Sequence, residues 1–401
     1  MIKVESKKDC AGCEACKSIC PKNCIEMAPD EEGFLYPRVD HENCIDCGLC
    51  EKVCPILHST DKTCQGRQKA YIVQHKCDKI RMESTSGGAF SAIAEYALGQ
   101  GGVVFGAAFD TGFQIQHQMV NGSEELSKLR GSKYVQSLIG SAFQDAKENL
   151  ERGRLVVFSG TPCQIEGLCS FLGKRYDNLV LVDLVCHAVS SPLAWKKFWD
   201  CLPDGALKEG SWIKFRDKSK YGYEYTQLTV YRSNGTEVYR SGPESDPMLR
   251  AFVSNTCTRP SCYECRFKKR YRVSDFTIWD CYNVYQYNQA MDDNKGTSHV
   301  LIHSEKGQEI FGKISGVLRF MEVDCDQAIA SEPALTQSSK PGPMREYFMK
   351  DLPILDGGEL FARYFPDRLT VKTERLLRKI LSRLGVYRGL KRLVKGVRGR
   401  E

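Results

Sequence analysis

CAGCEACKSICP (residues 10–21) and CIDCGLCEKVCP (residues 44–55) are one pattern written twice, Cys-x2-Cys-x2-Cys-x3-Cys-Pro, and they decide what the first part of the chain is. Soft thiolates hold iron in a tetrahedral sulfur environment, and the short gaps let one loop wrap three corners of a cube. Zinc knuckles and a disulfide scaffold fit less well, because zinc sites use paired cysteines and disulfides show no duplicated spacing of this kind. Cys24 falls outside the pattern and reads as a packed thiol.

With its proline, the duplicated spacing is that of bacterial two-cluster ferredoxins, in which the fourth cysteine of each run ligates the other cluster. One 4Fe-4S site is therefore expected at Cys10, Cys13, Cys16 and Cys54, and a second at Cys44, Cys47, Cys50 and Cys20. Residues 1–57 form this unit, whose halves are the only internal repeat.

A chain of 401 residues predicts two or three domains. Its 20 cysteines are grouped rather than scattered, and the start MIKVESKKDC lacks the apolar stretch of a signal peptide. Both features point to metal sites in a reducing compartment. No run has the length needed to cross a bilayer, and the sequence reads as cytoplasmic. Of the net charge of +7, residues 371–401 supply +9, eleven Lys or Arg against Glu374 and Glu401, which leaves −2 for the rest. The basicity is a tail property, and no nucleic-acid partner is expected. Within the tail, Leu376, Leu377, Ile380, Leu381, Leu384, Leu390, Leu393, Val394 and Val397 recur at helical spacing. A cationic helix at the inner face of an anionic membrane has this pattern, and so does a terminal helix packed on the body. Gly385, Gly389, Gly396 and Gly399 weaken it as an isolated helix.

The polar stretch His58–Gln68 reads as a linker. After it, strands expected at Ala70–Gln74, Val103–Phe109, Leu155–Phe158 and Leu179–Val185 alternate with helices to about Leu98, over about Ser141–Glu151 and from Pro162. This alternation predicts an α/β sheet covered on both faces. From about 210 the texture changes, and Tyr225–Tyr231 and Thr236–Arg240 around Asn234-Gly235 predict a hairpin in an α+β continuation.

Cys163 follows the strand Leu155–Phe158, Cys186 ends the next strand, and Cys262-x2-Cys265 adds a pair. Strand ends are where open α/β sheets place ligands. The four make a candidate third site, although a single Cys-x2-Cys pair is equally compatible with zinc or with no metal, and Cys257, Cys281 and Cys325 compete for places in it. Cys64, Cys77, Cys169 and Cys201 read as packed or surface thiols. Gly87-Gly88 opens a helix, where free amides and the helix dipole favour a phosphate; glycine pairs also open helices for steric reasons.

The ordered series SGGAF (86–90), GGVVFGAAF (101–109), GSKYVQS (131–137), GTPCQIEGL (160–168), VDLVCH (182–187) and RPSCYEC (259–265) resembles the family of coenzyme F-420 hydrogenase and dehydrogenase beta subunits. In detail it is similar to bacterial members with a fused two-cluster ferredoxin, over about residues 1–350. The resemblance implies an α+β chain in four parts: the ferredoxin domain (1–57), an α/β FAD-binding domain (69–190), an α+β portion carrying an additional iron–sulfur site (191–350), and the basic tail (351–401). It implies three 4Fe-4S clusters and one FAD, the third cluster held by Cys163, Cys186, Cys262 and Cys265. Flavin contacts fall by resemblance on Ser86, Gly87, Gly88, Ser132, Lys133, Tyr134 and Thr161, with the loop after Asp275 closing over the site. Where the family usually reads close to Gly-Asp-Phe-Trp-Gly, this chain has Trp279-Asp280-Cys281-Tyr282-Asn283, and Ala188 replaces the usual glycine after the Cys-His pair.

The resemblance implies an electron relay from a ferredoxin-like or other reductase donor through the clusters to the flavin and a small-molecule acceptor, either a deazaflavin or a metabolite of surface-polysaccharide synthesis. His187 is a candidate proton donor and also a candidate hydrogen-bond partner of the cluster. Asp280 is a candidate base, or a loop-capping carboxylate. Arg266, Lys268, Lys269, Arg270 and Arg272 read as a solvated surface or as a steering patch for an acidic partner. Two rivals stand beside the enzyme: a non-catalytic electron-transfer subunit, and an iron–sulfur sensor or structural module.

Overall fold

The computed structural model describes residues 1–58 and 68–391. The interior of the expected linker, Cys64, and Leu393, Val394, Gly396, Val397 and Gly399 lie outside the described residues. In the N-terminal unit, strands β1 (Ile25–Pro29) and β2 (Leu35–Val39) pair antiparallel beside short helices Ala15–Ile19 and Leu49–Lys52. The second cysteine of each run is flanked by two residues of positive φ, Gly12 and Glu14 (67° and 60°) around Cys13, and Asp46 and Gly48 (49° and 70°) around Cys47. Left-handed turns on both sides curl each run around a centre, and glycine fills one of the two positions each time because it carries no Cβ penalty there.

The main sheet is assembled from β3 (Lys69–His75), β4 (Val103–Phe109), β5 (Ile115–Val120), β6 (Val156–Gly160) and β7 (Leu179–Leu184). A second, antiparallel sheet follows from β8 (Trp212–Asp217), β9 (Gln227–Tyr231) and β10 (Glu237–Ser241), with Gly235 at φ 83° in the expected hairpin turn. The chain then returns to the main sheet with β11 (Phe276–Asp280), β12 (Ser298–Ile302) and β13 (Leu318–Val323), giving the order β13-β3-β12-β11-β7-β6-β4-β5. Its centre is parallel (β4, β6, β7, β11) and its flanks are antiparallel.

The strands alternate between two cores. Val104, Val157, Val180 and Val182 meet helices Ala89–Gly99 and Glu305–Ile314 on one face, whereas Phe105, Phe158, Leu179 and Leu181 meet Ala142–Glu151 and Pro162–Leu172 on the other. Both faces are covered, as a central parallel sheet requires. Thr161 caps the helix after β6 in a capping box with Gln164, with Pro162 in its first turn, which fixes where that helix starts, a feature worth about 1 kcal/mol.

Three expectations are corrected here. The division at 190 cuts through one sheet, because β11 to β13 complete what β3 to β7 begin. The segment after Asp275 is not a loop: its β-branched and aromatic residues Phe276, Thr277, Ile278 and Trp279 form the central strand β11. The part from 351 is also more than a tail. Leu352, Leu360 and Phe361 pack into the core under the second sheet, and only then does the helix Leu369–Arg383 begin. No helix among the described residues is long and apolar enough to cross a membrane.

Candidate functional site

The twelve cysteines fall into the three expected sets. Cys10, Cys13, Cys16 and Cys54 line one cavity of about 390 Å³, and Cys20, Cys44, Cys47 and Cys50 line a second. Cys163, Cys186, Cys262 and Cys265 line a third, at the carboxyl ends of β6 and β7. Cys257, Cys281 and Cys325 do not line it: the first two are fully buried, and Cys325 Sγ lies 3.5 Å from Gln68 O. Cys24 is packed as expected, yet it also borders the second cavity, its Sγ 3.3 Å from that of Cys20. Among the described residues no His, Cys, Asp or Glu side chains converge as on a single metal ion. Thiols spread around a cavity suit a multi-iron core instead.

The third cavity shows why such a core fits. Burial first, and then the neighbouring thiols of the set, push the Cys163 thiol up to about 12 and that of Cys262 up to about 11. Four buried thiolates demand a cationic centre. Part of the compensation comes from the basic run, in which Arg272 is buried, Lys268, Lys269 and Arg270 are half-buried and Arg266 is exposed. Arg266, Lys268 and Arg272 line the cavity; Lys268 Nζ donates to Cys186 O at 2.7 Å, and Arg272 pairs with buried Asp183 at 3.1 Å. Lys269 and Arg270 are ion-paired to Glu166 and Asp326, each at 2.6 Å.

The three cavities are in series. Ala11, Gly12, Ile56 and Arg266 border both the first and the third, while Cys16, Cys20, Cys44, Cys50 and Cys54 gather around one apolar cluster between the first and second. Cys47, in the second set, is exposed. The N-terminal unit is held to the body by buried polar contacts. Arg259, fully buried, donates to Cys10 O at 2.9 Å, Leu35 O at 3.0 Å and Gln136 Oε1 at 2.8 Å; Glu14 accepts from the Ile139 amide at 2.8 Å.

Beyond the third cavity opens a cleft of about 440 Å³, and Thr161, Gln164, Cys186, His187, Ala188 and Val189 border both. Ser86, Gly88, Ser132, Lys133, Tyr134 and Thr161 line it together with the carboxyl ends of β7 and β11, the place where open α/β sheets hold ligands. Its rim is rich in hydroxyls: Ser132 N donates to Thr85 Oγ1 at 2.7 Å, and Ser86 Oγ lies 2.7 Å from Ser298 Oγ. The Ser86 segment is clamped from below by buried Lys218, whose Nζ donates to Ser86 O at 3.0 Å and Arg81 O at 2.5 Å. Burial draws Lys133 down to about 7, while its Nζ donates to Lys128 O at 3.1 Å and Arg130 O at 3.0 Å.

Two expected flavin residues are elsewhere. Gly87 is not at the cleft: a Cβ there would come within 2.2 Å of Val73 O and 2.5 Å of Ser298 N, so this glycine exists to let the loop pass between β3 and β12. Asp275 stands at the opposite end of β11 from the cleft, and its Oδ2 accepts from the Leu181 amide at 2.9 Å. Both residues are structural.

The expected acid-base residues are present but engaged. His187 Nε2 lies 2.7 Å from Asn255 Oδ1 and so carries the proton, and burial lowers its pKa. Phe252 meets its ring edge-on and stacks on Tyr134 at 4.5 Å, forming one wall of the cleft. Asp280 Oδ2 accepts from Arg216 Nη1 at 2.5 Å, and Oδ1 accepts from Tyr223 OH at 2.7 Å. With both oxygens occupied it is not a poised base. Burial works against the charge of Arg216, but Asp280 and the surrounding tyrosines outweigh it, and its pKa is raised. The sequence gives no sign of Arg216, because in the alternating strand β8 it falls on the face opposite Ile213 and Phe215 and so reads as exposed. Trp279 packs flat on His299 at 4.8 Å and lines the cleft where the resemblance places a glycine.

Residues 70–144 and 153–325 match the models for the N-terminal and C-terminal parts of the coenzyme F420 hydrogenase/dehydrogenase beta subunit, and residues 9–56 match a 4Fe-4S dicluster domain. The F subunit of the F(420)H(2) dehydrogenase of Methanosarcina mazei is 22% identical over 324 residues, 78% of this chain and 84% of that one. The coenzyme F420-dependent sulfite reductase of Methanocaldococcus jannaschii is 30% identical over 164 residues, 40% of this chain, which spans only 24% of that relative. A chain of the F420-reducing [NiFe] hydrogenase complex from Methanosarcina barkeri aligns over 72% of this chain and 89% of its own length, at 19% identity and a TM-score of 0.42. A dicluster module ahead of both halves of the beta subunit places this iron–sulfur chain in the family of coenzyme F420 hydrogenase/dehydrogenase beta subunits.

Proposed function

We propose that the protein is an iron–sulfur flavoprotein oxidoreductase that takes electrons from a ferredoxin-like donor and delivers them to an organic acceptor in the cleft. The observation that carries this reading is the series of shared walls, from exposed Cys47 through three thiol-lined cavities to the cleft. Bound 4Fe-4S clusters supply one-electron transfer, and FAD joins it to two-electron chemistry. The residues that hold them are the three cysteine sets and, for FAD, Ser86, Gly88, Ser132, Lys133, Tyr134 and Thr161. Amides and cations beside the sulfurs tune each site, Ile2 N donating to Cys50 Sγ at 3.2 Å among them. His187 keeps its proton on Nε2 at the wall common to cavity and cleft. The acceptor is a deazaflavin or a metabolite such as a surface-polysaccharide precursor; Trp279 and Ala188, larger than the glycines the resemblance places there, reshape the cleft they line. The alternative, an electron-transfer subunit without its own substrate, draws support from a relative named as a subunit.

Flavin content tests the cleft directly. Ala107 is a small cleft-lining residue on β4, and Ala107→Phe fills the space beside it. Flavin released from the denatured protein should fall at least fivefold from about one per chain, with iron unchanged. Full retention places the flavin elsewhere. Turnover of candidate acceptors by the isolated chain then separates the enzyme from the electron-transfer subunit.

The terminal helix adds a location, the inner face of the membrane. Its polar side meets the body: Arg378 pairs with Glu244 at 3.9 Å and lies 5.9 Å from the ring of Tyr225, and beyond the helix Lys391 pairs with Glu224 at 2.9 Å. Its apolar side faces out, with Leu369 79%, Leu376 58%, Leu377 52% and Leu384 68% exposed, beside exposed Lys372 and Arg383. An outward apolar stripe rimmed by cations suits an anionic lipid surface. At low salt the full chain should sediment with phosphatidylglycerol vesicles and not with phosphatidylcholine vesicles. Charging the stripe (Leu376→Glu with Leu377→Glu and Leu384→Glu) should abolish this, and equal sedimentation of both proteins removes the membrane from the reading.

A further inference from the structure

Arg216 reaches the cleft from the second sheet with its hydrogen-bonding capacity half used. Its Nε donates to Thr226 Oγ1 at 3.3 Å and its Nη1 to Asp280 Oδ2 at 2.5 Å, while Nη2 is buried and has no partner among the described residues. The side chain is only 8% exposed, so water does not make up the deficit. Arginine–carboxylate pairs are frequently bidentate, with both arms of the fork on the two oxygens. Here Tyr223 OH occupies the second oxygen of Asp280 at 2.7 Å, which keeps that oxygen from Nη2. The guanidinium carbon lies 5.6 and 5.5 Å from the ring centres of Tyr223 and Tyr282, which stack on each other at 5.0 Å. A buried, charged donor left open is costly unless a ligand completes it.

The other cations of the cleft are committed. Arg130 donates to Ser91 Oγ at 3.0 Å, Glu83 Oε2 at 2.7 Å and Glu95 Oε1 at 3.2 Å. Lys133 is turned onto two backbone carbonyls. We infer that Arg216 binds an anionic group, carboxylate or phosphate, of the organic acceptor, with Asp280 and Tyr223 as its positioning residues. The inference rests on the reading of the cleft as the acceptor site. It reassigns Asp280 from acid-base work to orientation, and it restricts the substrate to organic anions.

The same chemistry has a second source, the diphosphate of FAD, and the experiment separates the two. Inorganic pyrophosphate and oxalate are titrated calorimetrically into the full-length chain, purified without oxygen, while bound flavin is measured on the same samples. The wild type should bind one equivalent of at least one anion. Arg216→Gln should weaken it at least tenfold, with flavin content unchanged. Tyr223→Phe leaves the arginine in place but frees an Asp280 oxygen to take Nη2, and it should weaken binding about threefold to fivefold; it also serves if Arg216→Gln does not fold. Affinities within twofold of wild type in both variants overturn the proposal. Loss of flavin in Arg216→Gln overturns it too, in favour of a cofactor contact. If the wild type lacks flavin yet binds the anion in an Arg216-dependent way, the flavin reading fails and the anion site stands.

Discussion

Replacing Cys262 and Cys265 together by serine should lower the iron of anaerobically prepared protein from about twelve to about eight atoms per chain, four per cubane site. Both cysteines line only the third cavity, so the eight cysteines of the dicluster unit keep their ligand sets. Among the described residues no further thiol lines that cavity, since Cys257, Cys281 and Cys325 lie elsewhere. Reduction, by a ferredoxin-type donor, of the flavin proposed for the cleft should fall at least a hundredfold, since the third cavity is what joins the dicluster unit to the cleft wall at Cys186 and His187. Flavin content should stay above half, because no flavin-lining residue is altered. Iron near eight in the wild type, unchanged by the substitutions, would show that the third site is not built.

Arg259→Ala should cost about 4 kcal/mol. Each hydrogen bond from a charged donor is worth about 1.5–3 kcal/mol, and three that share one side chain do not add in full. Arg259 makes three such bonds, and its guanidinium also sits 4.4 Å from the ring of Tyr36. Truncation leaves two carbonyls and an amide oxygen without their donor inside the seam that joins the dicluster unit to the body. At about 2 °C per kcal/mol for a large chain, the thermal midpoint at fixed scan rate should drop on the order of 8 °C. Arg259→Lys keeps the charge but not the fork, and should fall between the two. An unchanged midpoint for Arg259→Ala would mean that the unit is tethered rather than docked.

Much of this was legible in the order of residues. The repeated cysteine run named its own ligand sets, and the apolar runs at 103–109 and 156–160 appeared as strands because a central parallel strand is apolar on both faces. Of the antiparallel flanks β3 was read, at Ala70–Gln74, and β5, β12 and β13 were not. β5 and β13 carry outward polar residues such as Gln116, Gln118, Arg319 and Glu322, and lack the continuous apolar signature. Gly87 and Gly88 look alike in sequence, yet one is packed against two backbones and the other lines the cleft at φ 86°. Arg216 was invisible for a related reason: its burial is created by a different sheet and by Tyr282, residues far away along the chain.

Strand order also dictates when each part of the molecule can be finished. The dicluster cysteines are all synthesised by residue 54, and their turns are local. The third set spans residues 163 to 265, and β3, made early, remains unpaired until β12 and β13 arrive on either side of it at 298–323. Contacts this distant in sequence form late, and domains complete in the order in which they leave the ribosome. If the third set holds the cluster proposed for it, iron loading would have two windows, an early one open to a short nascent chain and a late one that waits for nearly the whole protein. A cell short of iron late in synthesis would then accumulate chains with a filled N-terminal unit and an empty inner site, a species expected to accept electrons and not to pass them on.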